Sequence, residues 1–139
     1  MQTAIAAARS QLGVAYSWGG GGSNGPSYGI APDTDVWGFD CSGLTQYAYA
    51  RAGVQIGGTS RDQWYRFRNQ TVARDDLAPG DLLFWDDGRA NPTYLAIVHV
   101  AIYIGNGQMI EAPDRGLTVR VSTARTSSST YFGAVRPTG

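Results

Sequence analysis

The chain reads as an α+β domain, with helices first and an antiparallel sheet after them. Two observations predict this. In the first half, apolar and small residues recur at helical spacing. In the second half the period changes to short runs rich in β-branched and aromatic residues, separated by Gly and Pro turns. The 139 residues are 42% hydrophobic and 16% charged. Such a chain is sufficient for one domain with its own core, and 1–139 is read as a single domain.

Residues 3–12, TAIAAARSQL, predict a short Ala-rich helix that stops at Gly13. The stretch from Tyr16 to Asp40 is dense in Gly, Pro, Asn and Asp and is read as loop; its length marks it as functional. Residues 41–52 place apolar or small side chains at 41, 44, 48 and 52, which predicts a helix with Asp40 as N-cap and Gly53 just beyond its end. Ser60-Arg61-Asp62-Gln63 fits a capping box that opens a third helix at Ser60. Strands are predicted at 81–85, 97–104, 108–112, 117–121 and 131–135, with turns at Pro79-Gly80 and Gly105-Asn106-Gly107. The polar segment 122–130 is read as a surface loop.

Composition excludes several functions. Eleven basic and eleven acidic residues leave no net charge, which argues against nucleic acid as a partner. No apolar run approaches the roughly 20 residues of a membrane span. One Cys and one His can form neither an internal disulfide nor a structural zinc site; no metal or cofactor is expected. With no apolar patch readable, a monomer is expected. The lone thiol is either a buried small hydrophobe or a reactive group.

Position favours reactivity. Cys41 falls in the first turn of its helix, where unpaired N–H groups and the helix dipole favour negative charge on sulfur. His99 lies in a strand, sharing a face with Ile97, Ala101 and Tyr103, while Val98, Val100, Ile102 and Ile104 form the other, apolar face. Glu111 comes in the next strand, and register decides whether it can help. A two-residue Asn106-Gly107 loop would set Ile102 opposite Glu111 and turn the carboxylate away. A three-residue loop, Gly105 to Gly107, sets Ala101 opposite Glu111, diagonal to His99 on one face. A Cys41–His99–Glu111 triad therefore predicts the three-residue loop. In such a triad the thiolate attacks a carbonyl, His99 shuttles the proton and Glu111 orients the imidazole, with the Cys41 N–H contributing to an oxyanion hole.

Tyr16-Ser17-Trp18-Gly19-Gly20, Asp40-Cys41-Ser42-Gly43-Leu44, Ser60-Arg61, Pro79-Gly80-Asp81-Leu82, His99 to Gly105 and Glu111-Ala112-Pro113 stand in the order of a known family. Together they resemble the NlpC/P60 domain, and most the Rip-type peptidoglycan hydrolases of mycobacteria. The resemblance implies a papain-like fold and cleavage of peptidoglycan stem peptides between D-γ-glutamate and the diamino acid (meso-diaminopimelate). It implies Cys41 as nucleophile, His99 as base, Tyr16 near the oxyanion, and Asp40, Ser42, Ser60 and Arg61 lining the substrate groove. Arg61 suits a substrate carboxylate. It also implies action at the cell wall outside the membrane, with an export signal beyond this sequence in a longer protein.

Two departures from the family pattern stand out. The third catalytic position, more often His, is Glu111. The segment 86–97 is longer than usual, so Tyr94, Leu95 and Ile97 are expected to lie over the site and narrow it, facing the insertion 19–38 at the opposite rim. That expectation keeps a second reading open, a peptidoglycan-binding module with little turnover. A third is an amidase or acyltransferase using the same thiolate. Gly20, Gly22 and Gly25 fit a lone GxGxxG, but no strand precedes it and Pro26 interrupts the chain just after it, so nucleotide binding is set aside. Asn69-Gln70-Thr71 matches a glycosylation acceptor that a bacterial chain would leave unused. Trp18, Trp37, Trp64 and Trp85 are assigned to the core or the groove walls rather than to sugar stacking.

Overall fold

The computed structural model describes residues 2–138. Among these residues are three helices, α1 (Gln2–Arg9), α2 (Cys41–Arg51) and α3 (Ser60–Arg66), and eight short strands, six of which follow α3. A two-residue hairpin, β1 (Ser27–Tyr28) and β2 (Trp37–Gly38), lies inside the segment read as loop. The others are β3 (Thr71–Val72), β4 (Leu82–Asp86), β5 (Ile97–Gly105), β6 (Gln108–Glu111), β7 (Arg120–Thr123) and β8 (Tyr131–Val135). These six form one antiparallel sheet in the order β3-β8-β4-β5-β6-β7. The α+β class is as the residue pattern predicts.

Period-2 alternation divides the sheet. Leu82, Phe84, Val100, Ile102, Ile110 and Val135 face the helices and pack with Ile5, Ala8, Leu44, Ala48 and Tyr49 in the larger core. Leu83, Trp85, Ala101, Met109 and Ala134 form a smaller core on the opposite face, closed by Leu77, Ala124 and Tyr131. Burial on both faces explains why Leu82 to Trp85 of β4 are all apolar, without the alternation of a half-exposed strand.

The N-terminus of α2 is capped as expected: the Asp40 carboxylate accepts from the Gly43 N–H at 2.7 Å. The third helix differs. Thr59, one residue earlier than expected, is its N-cap and accepts from the Asp62 N–H. Gln63 does not reach back to the cap. It is fully buried and ties three segments together: its Oε1 accepts from the Thr45 hydroxyl at 2.7 Å, and its Nε2 donates to the carbonyls of Ser42 and Gly57, each at 2.9 Å.

Strand β7 begins later than the pattern suggests. Residues 117–119 pair instead with the chain after α1: Tyr16 donates to the Leu117 carbonyl, and Val119 to that of Val14. From 120 onward the chain pairs with β6. Residues 122 and 123, read as loop, are therefore strand. On its other side this N-terminal segment meets Phe39, which donates to the Ala15 carbonyl, while Ser17 donates to the Phe39 carbonyl. Gly38 makes the approach feasible, because a Cβ there would lie 1.8 Å from the Ala15 carbonyl oxygen. Tyr16 and the Asp40-Cys41 step are thereby fixed against each other.

Gln63→Leu preserves volume but removes three buried hydrogen bonds and leaves the Gly57 carbonyl without its amide donor. It is expected to lower the unfolding free energy by about 2 kcal/mol, read by urea denaturation; an unchanged midpoint would show that these bonds do not hold α3 in place.

Candidate active site

The structure brings Cys41, His99 and Glu111 together at one end of the sheet. Cys41 is the first residue of α2 and is partly buried. His99 lies opposite Trp85 across the β4–β5 pair, with its side chain 16% exposed. Glu111 ends β6 and is fully buried. His99 Nε2 and Glu111 Oε1 are 2.8 Å apart. The Cys41 thiol lies near enough to His99 to influence its protonation. Since Glu111 occupies Nε2, Nδ1 is the ring nitrogen left for the thiol. A thiol, an imidazole and a carboxylate in line can pass a proton from sulfur and return it to a leaving group.

The register that allows this arises differently from expectation. Ile102 pairs with Ile110 and Tyr103 with Met109, and continuing one step sets Ala101 against Glu111. The loop, however, is not three residues long. Asn106 and Gly107, with φ of 53° and 72°, form a two-residue turn closed by the Gly105–Gln108 pair. The extra residue is taken up by a bulge between Tyr103 and Gly105. Two positive φ values suit the two-residue turn that matches strand twist, and the bulge restores the offset.

A second bulge sits where β5 begins. Trp85 pairs with His99 but Asp86 with Ile97, leaving Val98 unpaired. This exchanges the faces expected for the two residues. Ile97 turns into the helical core, and Val98 is 56% exposed, with its carbonyl 4.0 Å from the Cys41 sulfur.

A groove of about 300 Å³ opens beside Cys41, lined by Tyr16, Trp18, Ile30, Asp40, Ser42, Ser60, Arg61 and Val98, among others. All five residues assigned to substrate or oxyanion contacts thus lie at one site. Asp40 and Ser42 are partly committed already: Asp40 caps α2, and the Ser42 hydroxyl donates to the Gly58 carbonyl at 3.0 Å. The Arg61 guanidinium makes one long contact, 3.4 Å to the Ile97 carbonyl. Tyr16 is buried. That burial, and then the neighbouring Cys41 and Asp40, push its hydroxyl well above its ordinary value, so it stays a hydrogen-bond donor.

Tyr94, Leu95 and Ile97 do not cover the site. Tyr94 packs against Tyr65 with ring centroids 5.2 Å apart, Leu95 points to solvent, and Ile97 is in the core; the side chain that reaches the groove is Val98, just after this segment. Trp18 and Ile30 do form part of the opposite rim. That insertion is tethered, since buried Asp33 accepts from the Trp18 N–H and pairs with Arg115 at 3.0 Å.

Sequence reasoning missed the residues around Glu111. Its Oε1 accepts from His99 and Arg125, and its Oε2 accepts from Arg120 at 3.1 Å, Ser122 at 2.8 Å and Arg125 at 3.0 Å. Arg120 lies directly opposite Glu111 across the β6–β7 pair; the cross-strand charge rule would have found it, given the register. Burial alone would raise the Glu111 carboxyl, but the bonds from His99, Arg125 and Ser122 outweigh it and hold the group well below the usual carboxylate range. Burial alone would lower His99, but its interactions with Cys41 and Glu111 hold it up at about 9. Among the described residues, no three His, Cys, Asp or Glu side chains cluster as metal ligands would.

These shifts fix a pH dependence of stability. His99 is raised from 6.5, so its contribution is full below about pH 6.5 and is lost as pH rises through about 9. Glu111 is lowered from 4.5, so its contribution is full above about pH 4.5 and is lost only in stronger acid. All eleven basic residues are arginine and stay charged over this range. The thermal midpoint is expected to fall from pH 6.5 to 9, with the fall reduced in His99→Gln. A wild-type midpoint that rises over that interval would contradict the assignment.

Comparison with known proteins agrees with this geometry. The model of the NlpC/P60 family matches residues 13–136. Over 123 residues the chain is 42% identical to peptidoglycan endopeptidase RipA of Mycobacterium tuberculosis, covering 88% of this chain and 24% of RipA. It is 43% identical to peptidoglycan endopeptidase RipB of that organism over 92% of this chain and 49% of RipB. The chain therefore spans between a quarter and a half of these relatives. The solved RipB structure superposes with a TM-score of 0.83 at 38% identity, over 98% of this chain and 63% of that one. RipA structures mutated at a cysteine, a histidine and a glutamate superpose with TM-scores of 0.81 to 0.82. RipD of M. tuberculosis, described as a non-catalytic NlpC/p60 domain protein adapted to peptidoglycan binding, superposes with a TM-score of 0.81 at 38% identity, over 97% of this chain and 95% of that one. The sequence order of the motifs, the α+β architecture and the family match together show that this chain belongs to the NlpC/P60 family.

Proposed function

We propose that the chain is a cysteine endopeptidase of cell-wall peptidoglycan that cleaves stem peptides between D-γ-glutamate and the diamino acid. The observation that carries this is the convergence of Cys41, His99 and a fully buried Glu111 bonded to His99 Nε2, beside a groove lined by Arg61, Ser60 and Tyr16. The names of RipA and RipB, both peptidoglycan endopeptidases, support the substrate class.

In this reading the Cys41 thiolate adds to the γ-carbonyl of D-glutamate. The oxyanion meets the Cys41 N–H, unpaired at the start of α2, and the Tyr16 hydroxyl. His99, protonated through Nδ1, gives that proton to the departing amine as the C–N bond breaks, leaving a thioester. His99 then takes a proton from water, whose oxygen displaces sulfur. Glu111 stays ionised throughout and holds Nε2, so the ring presents one nitrogen to the reaction. Arg61, with its guanidinium at the groove, pairs with a stem-peptide carboxylate. The site of action is accordingly the cell wall, with the peptidoglycan stem peptide as partner.

The non-catalytic relative RipD supports a second reading, in which the same groove binds peptidoglycan without turnover. Digestion of purified peptidoglycan, or of a stem tripeptide, by wild type and by Cys41→Ala separates the two. New amine ends at the diamino acid, absent with Cys41→Ala, are the expected outcome. Wall binding by both forms with no peptide released would favour the binding module.

A further inference from the structure

The donors around Glu111 are not equivalent. Arg120 and Ser122 both contact Oε2, and a carboxylate held by one oxygen can still swing about it. Arg125 grips both oxygens, Nη2 to Oε1 at 2.6 Å and Nη1 to Oε2 at 3.0 Å. A two-point grip fixes the carboxylate plane, and Oε1 is the oxygen that meets His99 Nε2. Arg125 is itself held by Trp85. The indole N–H donates to the Arg125 carbonyl at 3.0 Å, and the guanidinium lies over the indole ring at 5.4 Å. The same ring lies 5.4 Å from the His99 ring. One tryptophan thus backs both the imidazole and the arginine that aims its carboxylate.

We propose that Arg125, braced by Trp85, is a positioning residue that aims Glu111 Oε1 at His99 and thereby keeps the imidazolium stable. The proposal deepens the endopeptidase reading, since the site it serves is the same triad.

The charged and titratable groups facing this site come from four directions. α2 contributes Cys41, β6 contributes Glu111, β7 contributes Arg120, and the segment after β7 contributes Arg125. From β4 only the uncharged Trp85 faces it, with the Tyr131 hydroxyl of β8 and Arg74 beyond it. Two effects of Arg125 on His99 oppose each other. Its positive charge disfavours an imidazolium, whereas its grip on Glu111 keeps a carboxylate at Nε2 and favours one. Positioning requires that the grip outweigh the charge.

His99 is the chain's only histidine, so its titration can be tracked unambiguously by NMR of a ring-labelled sample. That measurement needs no turnover, so failure of the endopeptidase reading and failure of this proposal remain distinguishable. In Arg125→Gln the midpoint is expected to move down by about one pH unit. In Arg125→Lys it falls similarly, because an ammonium restores the charge but cannot span two oxygens. Arg120→Gln, which removes a donor to one oxygen only, moves it less. A midpoint that rises in Arg125→Gln and returns in Arg125→Lys would show a charge effect alone and overturn the proposal. No movement in either variant, with unchanged amide spectra elsewhere, would show that Arg125 does not aim the carboxylate and would also overturn it.

Discussion

A carboxylate with no exposure to water is costly unless donors surround it, and at Glu111 that condition shapes one end of the molecule. Five hydrogen bonds converge on two oxygens, from β5, from β7 and from the segment after β7. Removing a single donor leaves a buried charge underpaired, so the three segments are held to one arrangement. The consequence reaches outward. Arg125 can reach Glu111 because the chain after β7 turns back across Trp85, and Trp85 stands beside His99 because β4 and β5 pair there. The imidazole is thus fixed by a carboxylate at its edge and an indole beside it, leaving one nitrogen for the thiol.

The two bulges explain how an ordinary antiparallel sheet produces this. Without the bulge near Ile104, the tight Asn106-Gly107 turn would offset β6 by one residue and carry Glu111 to the other face. Without the one at Val98, that side chain would point into the helical core, and the groove would lack its wall on the β5 side. One bulge adjoins His99 and the other lies between His99 and Glu111, so both re-aim side chains of the proposed triad. The opposite wall is stiff for a different reason. Asp33 binds both the Trp18 amide and Arg115, so the insertion that carries Ile30 is anchored to Trp18 and to the loop after β6. The groove is therefore a preformed feature, in keeping with sites that must hold a substrate at near-attack geometry.

Much of this is legible in the residues. Asp40 before Cys41 announces a capped helix start, because the Asn, Asp, Ser and Thr class accepts readily from the first-turn amides. The change of period at Asp81 announces the sheet. The pairing of Ala101 with Glu111 is required by the chemistry of the triad, but its cause is hidden: a sequence shows Gly105-Asn106-Gly107 without showing whether the spare residue sits in the turn or in a bulge beside it. Thr59 and Ser60 are both good caps, and local pattern cannot choose between them. Tyr94 and Leu95 are expected over the groove because long loops near sites often cover them, yet Tyr65 offers Tyr94 a partner elsewhere. Ser122 and Arg125 escape notice because 122–130 is polar and reads as solvated. A buried carboxylate's partners are set by tertiary position, which spacing along the chain does not carry.

The central claim is that a fixed, ionised Glu111 makes the Cys41–His99 pair competent. The most direct test is kcat on a stem tripeptide for Glu111→Gln beside wild type, with folding checked by thermal melting. Gln keeps the shape but lacks the charge and can present an amide to Nε2, inviting the wrong tautomer. The account predicts a fall in kcat of at least about 100-fold with KM within a few-fold. Equal kcat in the two forms would contradict it.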